Sequence, residues 1–131
     1  MQKVLDLFIQ SLVLDPTYLE AQWGLQNALL MATDPAMRRD LTLSCINQLA
    51  AQGLEHAAAS VAVNVAICSN QSEEAMEDLY RRGWELKPLE RQSVRPYAAY
   101  LEHQGRPLEA IALYSNSLNL LLDQGRQHPT S

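Results

Sequence analysis

The most reactive side chains in this sequence belong to three histidines, two cysteines and one run of carboxylates. His56, His103 and His128 are scattered, and none stands at metal-ligand spacing from Cys45 or Cys68. The two cysteines form no CxxC pair, and with no secretion signal they read as buried reduced thiols rather than a disulfide. "SEEAMED" (72–78) holds four carboxylates, but Ser72 followed by Glu73 and Glu74 is what a helix N-terminus prefers. That favours a helix start over a metal or acid–base site. Arg81, Arg82, Arg91 and Arg95 form a local basic excess. Pairing with Glu77, Asp78 and Glu85 at helical spacing accounts for it, an anion or acidic-peptide contact being the sharper alternative. There is no GxSxG, HExxH, phosphate-binding loop or GxGxxG. The chain therefore reads as no enzyme by itself, with no cofactor and no metal. A catalytic domain elsewhere in a longer parent stays open.

Bulk composition narrows the partners. The 131 residues suffice for one domain with one core, and 47% of them are apolar. Ten basic against fifteen acidic side chains give a net charge of −5, which argues against a nucleic-acid backbone. Lysine occurs only at Lys3 and Lys87. No apolar run approaches the ~18 residues that span a bilayer, so membrane insertion is not expected. Asp6 and Gln10 interrupt the apolar start that a signal peptide would need, and the expected location is cytoplasmic.

The side chains must be carried by helices. Breaks at "LDPTY" (14–18), "ATDPA" (32–36), "AQGLE" (51–55), "CSNQS" (68–72), "LKPLE" (86–90) and "HQGRP" (103–107) separate segments of helical periodicity. The spacing predicts seven helices, at about 2–14, 17–32, 36–52, 54–69, 72–86, 90–104 and 107–123. "SVAVNVA" (60–66) comes nearest to a strand, but its alanine-rich flanks favour a buried helix. Alternate breaks recur evenly: Pro16 to Gly53 is 37 residues and Gly53 to Pro88 is 35. A two-helix unit thus repeats at the period of stacked helical arrays. Overlaid, the second helices of the units align Phe8, Cys45, Tyr80 and Tyr114, then Leu12, Leu49, Trp84 and Leu118. Beside these lies a mostly small or polar position: Ser11, Gln48, Gly83 and Ser117. The first helices align Leu25, Ala62 and Tyr97.

"LDPTYLEAQWGLQNAL", "AMEDLYRRGWELKP" and "HQGRPLEAIALYSNSL" resemble the unit junction, second helix and intra-unit turn of the tetratricopeptide repeat family. The resemblance covers about residues 2–123 and implies an all-α, right-handed solenoid of antiparallel helix pairs. It would hold three to three and a half repeats in a domain at 1–123, followed by a polar tail at 124–131. Some features depart from the family pattern. Gln26 and Val63 stand where a small residue belongs, and "TDPAM" replaces a glycine turn. Pro96 falls inside a first helix, which should begin late near Ser93 or kink.

The family's peptide groove is lined by one face of its first helices. That face here carries Glu20, Trp23, Asn27, Ser60, Asn64, Gln92, Arg95, Glu102 and His103. Asn27 and Asn64 share one register, and asparagine offers both donor and acceptor to an extended backbone. Water-facing polar residues would give the same pattern. The implied role is a protein-interaction scaffold that binds a peptide or partner helix. The alternatives are the substrate-recognition segment of a protein O-glycosyltransferase, or a bacterial secretion chaperone. Both end helices keep apolar faces, "VLDLFIQSLVL" and "LNLLL", so either the chain is a piece of a longer repeat protein or it self-associates through an end helix.

Overall fold

The chain stops its helices with turn chemistry that can be followed bond by bond. Asp15 accepts from the backbone N–H of Thr17 at 3.1 Å and from its hydroxyl at 2.7 Å, closing the first turn. Asp34 accepts from the N–H of Met37 at 3.3 Å, and Pro35 takes the first helical position behind it. Gly53 and Gly105 both adopt positive φ, 79° and 73°. Each is followed by an N–H that reaches five residues back, Leu54 to the carbonyl of Leu49 at 3.0 Å and Arg106 to that of Leu101 at 2.9 Å. This is the left-handed helix stop that a Cβ would strain.

Between these stops the computed structural model, which describes residues 2–69 and 74–127, contains helices alone. Among the described residues there are seven and no strand: α1 (Gln2–Leu14), α2 (Leu19–Leu30), α3 (Pro35–Ala51), α4 (Glu55–Cys68), α5 (Glu74–Leu86), α6 (Arg91–His103) and α7 (Pro107–Gln127). The expected order is present, with differences at the ends. α2 starts two residues later than its periodicity suggested, because the Asp15–Thr17 turn holds the chain through Tyr18. α6 begins at Arg91, within one residue of the expected 90, and runs on through Pro96 without the late start near Ser93. The missing N–H there leaves the carbonyl of Gln92 without its helical donor. α7 continues past the expected end at 123 to Gln127, taking in part of the stretch read as tail. Ser72, Glu73 and residues 128–131, with His128, lie outside the described residues. No helix is long and apolar enough to cross a membrane among the described residues.

Every helix packs on its neighbours in the chain, and α1–α3, α3–α5, α2–α4 and α4–α6 also touch. The buried side chains form one continuous cluster, from Leu5 and Leu12 in α1 to Leu113 in α7. At its middle is α4. Ala57, Ala58, Ala59, Val61, Ala62, Val63, Val65 and Ala66 are all buried, so the alternating valines belong to a helix covered on most sides. Small residues let its neighbours come close. A Cβ added to Gly83 of α5 would lie 2.7 Å from a methyl of Val63. A Cβ on Gly24 of α2 would run into the ring of Phe8 in α1. Farther along, Tyr80 of α5 stacks on Tyr97 of α6, with centroids 6.1 Å apart, and tilts against Tyr100 at 5.0 Å.

Two polar ties hold α7 and its turn. Trp84, partly buried against the core in the register of Leu12 and Leu49, donates its indole N–H to the hydroxyl of Ser117 at 2.8 Å. Glu77 of α5 is buried and accepts two bonds from the guanidinium of Arg106, at 2.6 and 3.0 Å, and one from Arg81 at 3.0 Å. Arg106 in particular holds the Glu77 carboxyl below the usual carboxylate range.

Two outcomes follow. Gly83→Leu should cost about 3 kcal/mol or more in urea unfolding, because overpacking outweighs the ~1 kcal/mol gain in helix propensity. Val63→Ala in the same chain should relieve part of that loss, and strict additivity of the two changes would show that the close approach is not the cause. Glu77 has a lower pKa folded than unfolded. Its stabilisation is therefore complete above the ordinary glutamate value of about 4.3 and fades as pH falls through the folded value. Melting curves of Glu77→Gln and the wild type should accordingly differ at neutral pH and converge in acid.

Candidate functional site

Helix α4 is apolar nearly throughout, and its polar side chains are therefore informative. His56, Ser60 and Asn64 follow one another at four-residue steps and so share a face, with Ala59 and Val63 beside them. This face forms the floor of a cavity of about 320 Å³. Leu19 and Gln22 of α2 close one side of it, and Glu90, Gln92 and Ser93 at the start of α6 close the other. The volume is at the small end of ligand sites, enough for a few residues of an extended chain.

The walls carry hydrogen-bonding groups that the protein does not use. Ser60 and Asn64 are half-buried, Gln92 and Gln22 lie at the rim, and none of these side chains has a hydrogen-bond partner among the described residues. Amide side chains can each donate and accept, and a hydroxyl can do both. The cavity therefore offers free donors and acceptors over an apolar floor. One group at its edge is engaged. Nδ1 of His56 lies 2.9 Å from both carboxylate oxygens of Glu90, joining the first turn of α4 to the N-terminus of α6. With a proton on Nδ1, the imidazole leaves Nε2 as an acceptor in its neutral form. Ser60 makes no hydrogen bond to His56, so the nucleophile–base contact of covalent catalysis is not made.

No family model, curated protein or solved structure matches this chain. The geometry of its own residues therefore has to carry the functional argument.

Of the nine groove residues expected from sequence, the structure brings Ser60, Asn64 and Gln92 together in the cavity. Glu20, Trp23 and Asn27 are exposed along α2, Arg95 is exposed on α6, and Glu102 and His103 are exposed in its last turn. None of these six lines the cavity. Sequence reasoning missed Leu19, Gln22, His56 and Glu90. A signal for the last two existed, since a histidine and a glutamate 34 residues apart stand at nearly the 35- to 37-residue spacing of the helix breaks.

Other polar clusters are self-satisfied. A larger cavity of about 550 Å³ is lined by Arg39, Glu77, Asp78, Arg81, Tyr100, Gln104 and Arg106. Its guanidiniums face carboxylates: Arg81 on Asp78 at 3.1 Å, Arg39 on Asp78 at 3.8 Å, and Arg106 on Glu77. Arg82 reaches Glu85 at 3.8 Å and Asn47 at 3.3 Å. The helical-spacing pairs expected for Arg81 and Arg82 are thus formed. Cys45 is buried and Cys68 exposed, both as free thiols. Burial, with Asp6 nearby, pushes the Cys45 thiol up to about 11, so it stays protonated and unreactive at neutral pH. Among the described residues no three His, Cys, Asp or Glu side chains gather where a metal ion could be held.

His56 is largely solvent-facing while Glu90 is about 29% exposed, and a pair with one partner in solvent contributes little. A double-mutant cycle of His56→Ala and Glu90→Gln should give a coupling of about 0.2–1 kcal/mol by urea unfolding. A coupling several times larger would mean that the pair is a structural clamp and cannot be redirected to a ligand.

Proposed function

We propose that the seven helices form a right-handed tetratricopeptide-like solenoid, and that the chain acts as a protein-interaction scaffold. It would hold an extended peptide or a partner helix in the cleft bounded by α2, α4 and α6, with no covalent chemistry. Support for the solenoid comes from the order of helix contacts. Among the described residues the backbone of α1 comes close only to α2 and α3, and that of α7 only to α6. Helices wrapped around one common interior would bring distant pairs such as α1 and α5 together.

The observation that carries the binding role is the unused hydrogen-bonding capacity of Ser60, Asn64 and Gln92 over the apolar floor of Ala59 and Val63. An extended peptide presents an N–H and a C=O at every residue. Side-chain amides can pair with both, and such pairing tolerates many partner sequences. Glu90 and His56 can change partners at small cost. The cleft thus favours a partner whose main chain is accessible and whose side chains include a polar or basic group near Glu90.

Amide-resolved NMR with a mixed library of short extended peptides tests this reading. Binding should shift resonances of Ser60, Asn64 and Gln92 first, and the Ser60→Ala, Asn64→Ala double variant should weaken it by about tenfold or more. Shifts concentrated on Trp23, Asn27 and Glu20, or on no part of the cleft, would remove the proposal.

A further inference from the structure

Helix α7 has two faces, and only one is used. Ala110, Leu113 and Ser117 are buried against α6 and Trp84. A quarter turn away, Ile111, Tyr114, Leu118 and Leu121 are between 46% and 60% exposed, Leu122 is 48% exposed, and Leu108 is 79% exposed. The steps from 111 to 114, 118 and 121 are three, four and three residues. That is the spacing of a helix-pairing seam, in contrast to apolar residues scattered singly. Tyr114 and Leu118 align by sequence with the buried or partly buried Phe8–Cys45–Tyr80 and Leu12–Leu49–Trp84 registers, yet are themselves exposed.

We infer that this stripe pairs with the same stripe of a second copy, α7 against α7 in antiparallel orientation, giving a closed two-fold dimer. Charge favours self-pairing. From Ala110 to Leu122 there are thirteen residues without a charge, flanked by Glu109 and Asp123. Two copies that each carry −5 repel over most of their surface, and this stripe is where they can meet without opposing like charges. A partner chosen by charge would find nothing to read here. Size is also sufficient. Full burial of an apolar side chain removes ~60–120 Å² of apolar surface, so the five aliphatic residues and Tyr114, at about half to four-fifths exposure, offer ~350 Å². Interfaces are roughly 60–65% apolar, which makes ~550 Å² per copy and ~1,100 Å² in all. That is close to the lower bound for a specific interface, so dissociation is expected on the order of micromolar. In the antiparallel pairing Tyr114 lies beside Leu118 of the second copy and supplies an aromatic anchor near the two-fold axis.

Sedimentation velocity from ~1 to ~500 µM should show a monomer–dimer equilibrium that stops at the dimer. Leu118→Lys and Leu121→Lys should each weaken it by about tenfold or more while leaving helicity, and melting measured at concentrations where the protein is monomeric, unchanged, because both sites lie outside the core. Leu7→Lys, an equally exposed apolar position on α1, should leave the dimer intact. The proposal is overturned by a monomer at every concentration. It is equally overturned by a mass that grows beyond the dimer, by loss of the dimer in Leu7→Lys, or by a dimer that neither α7 variant disturbs.

Discussion

The interaction on which the rest of the structure depends is the burial of α4. From Ala57 to Ser69 this segment carries no charge, and Asn64 is its only amide. A helix of 14 residues is marginal in water even when rich in alanine, and one apolar nearly all round is stable only when other helices cover it. α2, α3, α5 and α6 all supply that cover. Their closeness is set by the small side chains of α4 and by Gly83, whose missing Cβ leaves room for Val63. The positions of the flanking helices are therefore consequences of how α4 is sheathed.

The candidate cleft is a by-product of the same sheathing. Three polar residues on α4, His56, Ser60 and Asn64, occupy the side that α2 and α6 do not fully close. Leaving their hydrogen-bonding groups unpaired inside a dry core would cost more than the packing there returns. In an open cleft water serves them, and a peptide backbone can replace that water. The two most prominent charged clusters behave differently. Around Glu77, three carboxylates and three arginines satisfy one another and tie α5 to the turn before α7. At the cleft the His56–Glu90 pair alone is engaged among the described residues, with His56 largely in solvent and Glu90 partly covered.

Helix α7 shows what happens when a helix has no further neighbour among the described helices. α1 and α7 stand in equivalent registers, yet Leu12 is fully buried whereas Leu118 is exposed. The difference is one of surroundings. α1 packs against both α2 and α3, whereas the backbone of α7 approaches α6 alone and touches α5 chiefly through the Trp84–Ser117 bond. The apolar stripe that results is uncharged over thirteen residues, which suits it to meet a copy of itself.

Helix number, order and most boundaries could be read directly from the sequence, because they rest on local rules. Proline and glycine stops, the Asp34 cap and the 3.6-residue periodicity act within one turn and need no knowledge of the neighbours. The helical state of "SVAVNVA" was legible for the same reason. Local rules gave the span of α6 but offered a late start near Ser93 for Pro96, whereas Glu90 as a helix start and the burial of Ser93 and Val94 carry the helix across that proline. The cleft was half legible: Ser60, Asn64 and Gln92 follow from helical facing, while Trp23, Asn27 and Arg95 share that facing and remain outside. Which members of a polar face come together depends on the distance and rotation between helices. Those are decided by side-chain volumes at α4, Gly24 and Gly83, summed over contacts far apart in the chain, and only the tertiary packing could decide them.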